Sequence, residues 1–407
     1  MTVSGIGVVS VFGTTNDEFR DALLDGRTGI APIAGFDTAG CRSILAAEIT
    51  TFKPTDWVPA MKLRRLDRTG VYAIAATRLA LQDAGRSIAA EGSDSTGVVL
   101  GTWTAGGQST QIFLDAFFRQ GPAAAPALLF DSTVANSAAS LAGLEFKLRG
   151  PNMTETHKEA SGLAAIVAGV DLLREGRASA LMAGGVDALY ETFFKGHDRF
   201  AVMSGDTVVS NRLSPFDAER AGFVMGEGGF GLWIETTDAR QGAGHGEILG
   251  VGASSAAVSV NAWPTRPGPL TRTMRLAIED AGLTPADIDV VYASANATVA
   301  LDAVEAMALR TVFEDAAPVV TSIKGAIGEC GASGGAACAA AFLCGGAGEV
   351  PPIAGLSTAD AVASPLRLAR ERTAAPGPIV LVNSFASGGA LFSVVLRAAA
   401  SPGPERR

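Results

Sequence analysis

Short apolar runs alternate with amphipathic segments along most of this chain, and this alternation limits the folds open to it. Thr96 to Gly101 and Ile288 to Ala293 are short and mostly apolar, as expected of strands buried on both faces. Arg64 to Gly85 and Leu270 to Gly282 place apolar residues at helical spacing. Strands that alternate with helices in this way form a mostly parallel sheet covered on both faces. The chain is therefore predicted to be an α/β protein.

Two Gly-rich strand–turn segments, Met225 to Glu235 and Ser387 to Arg397, close two successive parts of the chain. This repetition indicates two similar halves, which we place at residues 1–240 and 241–407. Gly331 to Gly348 is uncharged and long enough to span a membrane, but Gly and Ala dominate it. A buried, tightly packed helix is therefore expected there, and no membrane association.

The amino-acid composition argues against two classes of function, nucleic-acid binding and metal binding. The net charge of −9 and the absence of a basic run argue against nucleic-acid binding. The four cysteines show neither Cys-x-x-Cys spacing nor a histidine at metal-ligand spacing, so no metal site is expected. Reduced cysteines and a start without a basic signal region predict a cytoplasmic protein.

Thr154 to Gly176 reads as an extended segment, a small-residue turn at Ser161-Gly162, and a helix with an apolar stripe. Many enzymes mount a nucleophile on such a turn. The helix N-terminus lowers the pKa of a thiol there and stabilises an oxyanion. In this chain the turn carries a carboxylate, Glu159.

The turn resembles the nucleophile turn of β-ketoacyl synthases, which reads roughly Thr-Ala-Cys-Ala-Ser-Gly-Leu. Lys158 to Leu163 matches it and puts Glu159 at the position of the acyl-accepting cysteine. Ser214 to Gly228 and Asn383 to Gly389 resemble two further family segments, and the similarity covers nearly the whole chain. The resemblance implies the thiolase fold, in which two similar α/β halves make a five-layer α-β-α-β-α sandwich.

The other reactive positions of the family also differ. The resemblance puts Ser294 at the first catalytic histidine and Glu329 at the second, with Lys324 retained between them. Ser387 replaces the gating phenylalanine. No catalytic residue is expected at these degenerate positions, and Glu159, Lys324 and Glu329 are expected to form a buried cluster.

A ketosynthase scaffold without its cysteine resembles a chain length factor, the β-subunit of the ketosynthase pair in type II polyketide synthases. The resemblance implies a heterodimer with an active ketosynthase α-subunit. It also implies acyl groups that arrive on the phosphopantetheine of an acyl carrier protein, and no cofactor of the chain's own. On this interpretation the chain is not an enzyme by itself. Such subunits usually carry Gln at the cysteine position, so Glu159 points to a less common branch, for example one that makes polyenes.

The resemblance puts the residues that limit chain length on the helix after Gly106-Gly107. Gln108, Gln111 and Asp115 share one face of that helix, and Ile112 borders it. In the family, side chains from this subunit close a tunnel at the subunit interface. Helical periodicity alone would instead predict that these residues form the solvent-exposed face of a surface helix.

Several alternatives remain open at this point. The chain could be a stand-alone malonyl-carrier-protein decarboxylase or a thioester hydrolase that uses Glu159 as a base. It could also be a homodimeric acyl-binding scaffold. Glu159 itself could cap its helix or pair with Lys158 or Lys324. His157 is expected to be a hydrogen-bonded structural histidine near an interface.

Overall fold

The computed structural model describes residues 1–87, 92–239 and 244–400. The predicted boundary between residues 240 and 241 lies outside the described residues, and the division at that point stays a prediction. The strands are Thr2–Val9 (β1), Ala31–Pro32 (β2), Leu45–Ala47 (β3), Thr96–Gly101 (β4), Asn152–Glu155 (β5), Ala180–Asp187 (β6), Met225–Gly226 (β7), Gly228–Glu235 (β8), Gly246–Ser255 (β9), Val290–Tyr292 (β10), Val319–Thr321 (β11), Glu349–Val350 (β12), Arg367–Leu368 (β13), Thr373–Ala374 (β14), Ile379–Phe385 (β15) and Ala390–Ala398 (β16). The α-helices are Asn16–Leu24 (α1), Ala60–Leu63 (α2), Arg68–Asp83 (α3), Gly107–Gln120 (α4), Ser137–Phe146 (α5), Ser161–Arg174 (α6), Glu191–Arg199 (α7), Gly268–Asp280 (α8), Val299–Phe313 (α9), Lys324–Ile327 (α10) and Ser333–Gly346 (α11).

Within the described residues, eleven strands form one hydrogen-bonded series in the order β13-β11-β10-β15-β16-β9-β1-β8-β6-β4-β5. Its two parts join at β1 and β9, through the pairs Thr2↔Glu247 and Val3↔Gly246 alone. The outer strands pair in parallel, whereas β8 and β16 are antiparallel to both of their neighbours. The prediction of a mostly parallel sheet is therefore wrong in detail, because the Gly-rich segments return as antiparallel strands and make the sheet mixed.

The helices complete a layered architecture. The central helices α6 and α11 lie between the two parts of the sheet: α6 contacts β4 and β6 on one side and β9 and β16 on the other. On the outer faces, α3 and α5 cover the first part, while α8 packs on β9 and β16 beside α9. This is the five-layer α-β-α-β-α sandwich of the thiolase fold, as the resemblance implied.

Small residues allow the two central helices to approach each other closely. A Cβ added to Gly162 in α6 would lie 3.0 Å from the carbonyl oxygen of Gly331, and one added to Gly334 in α11 would lie 2.7 Å from the Cβ of Leu163. The prediction of a buried Gly/Ala-rich helix is confirmed by α11, which is buried along almost its whole length. In the part of the chain that the structure describes, no helix is both long and apolar enough to cross a bilayer.

One helix boundary differs from its prediction. The helix expected from Arg64 begins at Arg68, because the side chain of Asp67 accepts a hydrogen bond from the backbone N–H of Gly70 and caps α3 there. The residues before it form the short separate helix α2. The cap therefore fixes where the helix begins.

Candidate functional site

The strand–turn–helix predicted around Glu159 is present. Strand β5 leads into a 3-10 turn at Lys158–Ala160, and α6 follows directly. The backbone N–H of Gly162 donates a 2.7 Å hydrogen bond to the carbonyl oxygen of Gly331, which anchors the turn against the segment before α11. Lys158 adopts a left-handed backbone conformation with φ 50°, and Glu159 is left buried at the start of the helix.

The carboxylate of Glu159 binds the last Gly-rich turn of the chain. The hydroxyl of Ser387 donates to its Oε1 at 2.9 Å, and the backbone N–H of Ser387 donates to its Oε2 at 3.3 Å. Lys158 Nζ in turn donates to Ser387 Oγ at 3.3 Å and to Asn261 Oδ1. Within the described part of the chain, no side chain forms a capping hydrogen bond at the start of α6. Glu159 therefore neither caps its helix nor forms a direct ion pair with Lys158 or Lys324, and Ser387 is its partner.

This environment changes the protonation of Glu159. Burial, and to a smaller extent the nearby Glu329 carboxylate, raise the pKa of its carboxyl group to about 7. The hydrogen bond from Ser387 acts in the opposite direction but does not compensate. Glu159 is thus a carboxyl group that exchanges its proton near neutral pH.

Glu329, which the resemblance puts at the second histidine, accepts hydrogen bonds at both carboxylate oxygens from within the chain. Its Oε2 accepts hydrogen bonds from Lys324 Nζ at 2.6 Å and from Asn296 Nδ2 at 2.8 Å, and its Oε1 accepts one from Ser333 Oγ at 2.8 Å. Lys324 and Glu329 are both almost completely buried. Of the expected Glu-Lys-Glu cluster, Lys324 joins Glu329 directly, while Glu159 lies close by without bonding to the lysine.

Ser294, which the resemblance puts at the first histidine, is a buried residue with satisfied hydrogen bonds. Its Oγ accepts a 2.9 Å hydrogen bond from the backbone N–H of Phe385, and its own N–H donates to Glu305 Oε1 at 2.9 Å. Asn383 Nδ2 also donates to Glu305 Oε1, at 3.0 Å. Burial raises the pKa of Glu305 to about 7. These contacts tie the Ser294 segment to helix α9 and to strand β15.

A small cavity of about 170 Å³ opens beside Glu159. Two residues from the sequence analysis, Glu159 and Ser387, line it. The others were not anticipated, and they are Trp103, His197, Val202, Phe223, Asn261, Trp263 and Thr298. Burial lowers the pKa of His197, so its imidazole is neutral at pH 7. Trp103 could have been found, because it follows the carboxyl end of β4, where ligand sites in α/β sheets concentrate.

His157 does not line this cavity. Its Nε2 lies 3.1 Å from Glu155 Oε2, and its ring packs against Phe392. The interpretation of His157 as a hydrogen-bonded structural histidine is therefore confirmed, while its place near an interface stays a prediction.

The four predicted tunnel residues lie on α4 in different surroundings. Gln111 and Asp115 line an open cleft of about 1,130 Å³ between α4 and α7. The side-chain oxygen of Gln111 accepts a 3.4 Å hydrogen bond from the N–H of Thr192, and that of Gln108 accepts a 3.3 Å hydrogen bond from the N–H of Arg68. Ile112 is 48% exposed. Their role in a tunnel stays a prediction.

Among the residues that the structure describes, no group of three or more His, Cys, Asp or Glu side chains is placed to hold a metal ion.

Curated relatives resemble the chain over nearly its full length. It is 28% identical to 3-oxoacyl-[acyl-carrier-protein] synthase 2 of Synechocystis sp., with 96% of this chain and 95% of the relative covered. The identity is also 28% to the protein of the same name from Coxiella burnetii, with 97% and 98% covered. The names of these relatives are those of catalytic synthases. They contradict the expectation that this chain is not an enzyme by itself, and that prediction is wrong.

Solved structures and family models agree with the architecture. The ishigamide ketosynthase/chain length factor superposes with a TM-score of 0.90 at 30% identity, covering 98% of this chain and 99% of that one. A beta-ketoacyl synthase from Burkholderia phymatum STM815 gives a TM-score of 0.89 at 27% identity, with the same coverage. The models of the beta-ketoacyl synthase N-terminal and C-terminal domains match residues 1–239 and 245–357. The chain therefore belongs to the beta-ketoacyl synthase family.

Proposed function

We propose that this chain is one subunit of a two-chain ketosynthase of type II polyketide biosynthesis, in which it acts as the chain length factor. The observation that carries the proposal is that Glu159, which the resemblance puts at the nucleophile position, is buried and hydrogen-bonded to Ser387. A carboxylate does not form a stable thioester, so the growing chain would be held by the cysteine of a partner ketosynthase subunit. The likeness to a ketosynthase/chain length factor at 30% identity supports this assignment.

An exposed apolar face supports a partner subunit. Among the residues that the structure describes, strand β5 ends the sheet series with one edge unpaired, and Met153 on it is 38% exposed. Phe118 and Phe130 are also exposed, at 76% and 60%. Exposed apolar side chains and an open sheet edge are each typical of surfaces that another chain covers. In the proposal, β5, α4 and the segment Ala127–Ser132 together form the face that binds the ketosynthase α-subunit.

The cleft between α4 and α7 would then become part of a closed tunnel when the partner binds. Packed side chains limit the length of an acyl chain by steric exclusion, because a close-packed wall yields only at considerable cost. Acyl groups would arrive on the phosphopantetheine of an acyl carrier protein in the cytoplasm, and this chain would need no cofactor of its own.

Co-expression with an intact ketosynthase subunit is expected to give a stable complex with one copy of each chain, measured by size-exclusion chromatography with light scattering. Phe118→Asp should weaken that complex at least tenfold, because it buries a charge in the proposed interface. Met61→Asp is the matched control, since Met61 is 84% exposed on α2, outside the proposed face. If the chain instead forms a stable homodimer and does not bind the ketosynthase subunit, that result would support the alternative of a homodimeric acyl-binding scaffold.

A second candidate is favoured by the protonation of Glu159. A carboxyl group whose pKa is about 7, beside a small cavity, is suited to act as a general base at neutral pH. Glu159 could then deprotonate a water molecule that attacks a small acyl thioester, releasing the acid and the thiol. The isolated chain should release thiol from malonyl-carrier protein at a rate that rises as the pH passes through about 7. Loss of this activity in Glu159→Ala would support hydrolysis with Glu159 as the base. Activity that survives the substitution would contradict that role of Glu159.

A further inference from the structure

The cavity beside Glu159 has a mostly aromatic wall that neither proposed function uses. Trp103, Trp263 and Phe223 line it together with the imidazole of His197. The rings of Trp103 and His197 meet at 88°, with their centroids 5.0 Å apart, so they form two perpendicular walls. Aromatic rings set at different angles around one space form the cages that bind alkylammonium groups, because the face of each ring carries negative potential.

Two of the polar side chains around the cavity act as hydrogen-bond acceptors. The Nδ1 of His197 lies 2.9 Å from the carbonyl oxygen of Phe193, which can only accept, so Nδ1 carries the proton of the neutral ring. Its Nε2 is then unprotonated and can accept. Each carboxylate oxygen of Glu159 accepts a hydrogen bond from Ser387, which leaves a further lone pair on both oxygens. These acceptors favour a ligand with positive charge.

Lys158 lies beside the cavity but does not pair with Glu159. Its Nζ donates instead to Asn261 Oδ1 and to Ser387 Oγ. Burial raises the pKa of Glu159 to about 7, although the positive charge of Lys158 lowers that pKa. The negative charge of Glu159 is thus only partly compensated, and a buried charge without a full partner is costly. A cation inside the cavity would supply the compensation that Lys158 does not.

The size and the apolar part of the lining restrict the ligand further. The volume of about 170 Å³ lies below the range of about 300–1,000 Å³ that is usual for sites of drug-sized ligands. Val202 and Phe223 add apolar surface, which alkyl groups contact favourably. A charged nitrogen that carries a few methyl or methylene groups therefore matches both the carboxylate and the rings.

We propose that this cavity binds a small organic ammonium group. The positive charge of the ligand lies against the carboxylate of Glu159, and its alkyl groups pack on Trp103, Trp263 and Phe223. The inference concerns the chain by itself. It holds whether or not the chain pairs with a ketosynthase subunit, so its failure and the failure of the proposed function are distinguishable.

Titration of the full chain with tetramethylammonium chloride at constant ionic strength tests this proposal, by calorimetry and by NMR of the methyl resonance of the ligand. The pH is set to about 8, where Glu159 is mostly ionised. We expect one saturable site with a dissociation constant of roughly 1 mM or lower. The methyl resonance should shift upfield, because ring faces shield the groups above them. tert-Butanol and pivalate have a similar shape but are neutral and anionic, and both should bind at least about tenfold more weakly.

Matched substitutions locate the site. Glu159→Gln keeps the shape of the side chain but removes its charge, and Trp103→Leu removes one ring; each should weaken tetramethylammonium binding about tenfold. Glu155→Gln and Trp57→Leu make the same changes at residues that do not line the cavity, and both should leave binding unchanged. Lys158→Met should strengthen binding about threefold, because it removes a like charge beside the ligand.

The three ligands compared on the unaltered chain test the charge preference even if a variant fails to fold. Pivalate that binds as tightly as tetramethylammonium would show that Lys158, and not Glu159, sets that preference, and would overturn the proposal. Absence of saturable binding would overturn it as well. So would tetramethylammonium binding that survives both Glu159→Gln and Trp103→Leu, since the cation would then lie elsewhere.

Discussion

Replacing Lys324 with methionine is expected to lower the free energy of unfolding by about 3–5 kcal/mol, because it leaves a buried carboxylate without its cation. Glu329 is completely buried, and Lys324 Nζ lies 2.6 Å from its Oε2. The hydrogen bonds from Asn296 and Ser333 remain in the variant, but neither carries a charge that could compensate that of Glu329. Urea denaturation followed by circular dichroism measures the change.

Two companion variants separate this effect from a simple loss of packing. Lys324→Met combined with Glu329→Gln should recover most of the lost stability, because the second substitution removes the unpaired charge. Lys62→Met removes a lysine from an exposed pair with Glu145 and should cost only about 0–1 kcal/mol. A loss below about 1 kcal/mol for Lys324→Met would contradict the idea that the buried pair holds this region together.

Gln111→Phe is expected to shorten the polyketide made by the reconstituted two-chain complex by at least one extension unit. The side chain of Gln111 lines the cleft between α4 and α7, and phenylalanine would fill part of that space. Moving packed side chains aside to make room costs free energy, so a long acyl chain would be excluded while a shorter one still fits. Mass spectrometry of the products gives the chain length directly.

Controls on the same helix make this result specific. Gln120→Phe introduces the same ring at the exposed end of α4, outside the cleft, and should leave the product unchanged. Asp115→Phe should act like Gln111→Phe, because Asp115 lines the same cleft. Products of unchanged length from both cleft variants, in complexes that still assemble, would remove the tunnel assignment from α4.

Local sequence patterns anticipated the elements that depend on near neighbours. The turn before α6 follows from Gly162, which lets the chain pass close to Gly331, and from the apolar stripe that follows. Helix α11 follows from its small, uncharged composition. Helix α5 was missed because its small residues show no clear amphipathic period.

The contacts of the site could not be predicted from local sequence patterns. Ser387 was singled out only as a replaced gate residue, yet it is the hydrogen-bond partner of Glu159 across 228 positions of sequence. No sequence pattern indicated that His197 lines the cavity, because its position there depends on how α7 packs. The raised pKa of Glu159 likewise arises from burial and from Glu329, which only the folded chain brings near.

The position of β1 in the sheet has a consequence for biosynthesis. This strand lies between β8 and β9, so its neighbours are Gly228–Glu235 and Gly246–Ser255. A ribosome must therefore translate more than half of the polypeptide before the first strand can acquire either neighbour. Long-range pairing of this kind folds slowly and leaves hydrophobic segments exposed meanwhile. Yields of native protein should accordingly depend on chaperone capacity and on slow translation at low growth temperature.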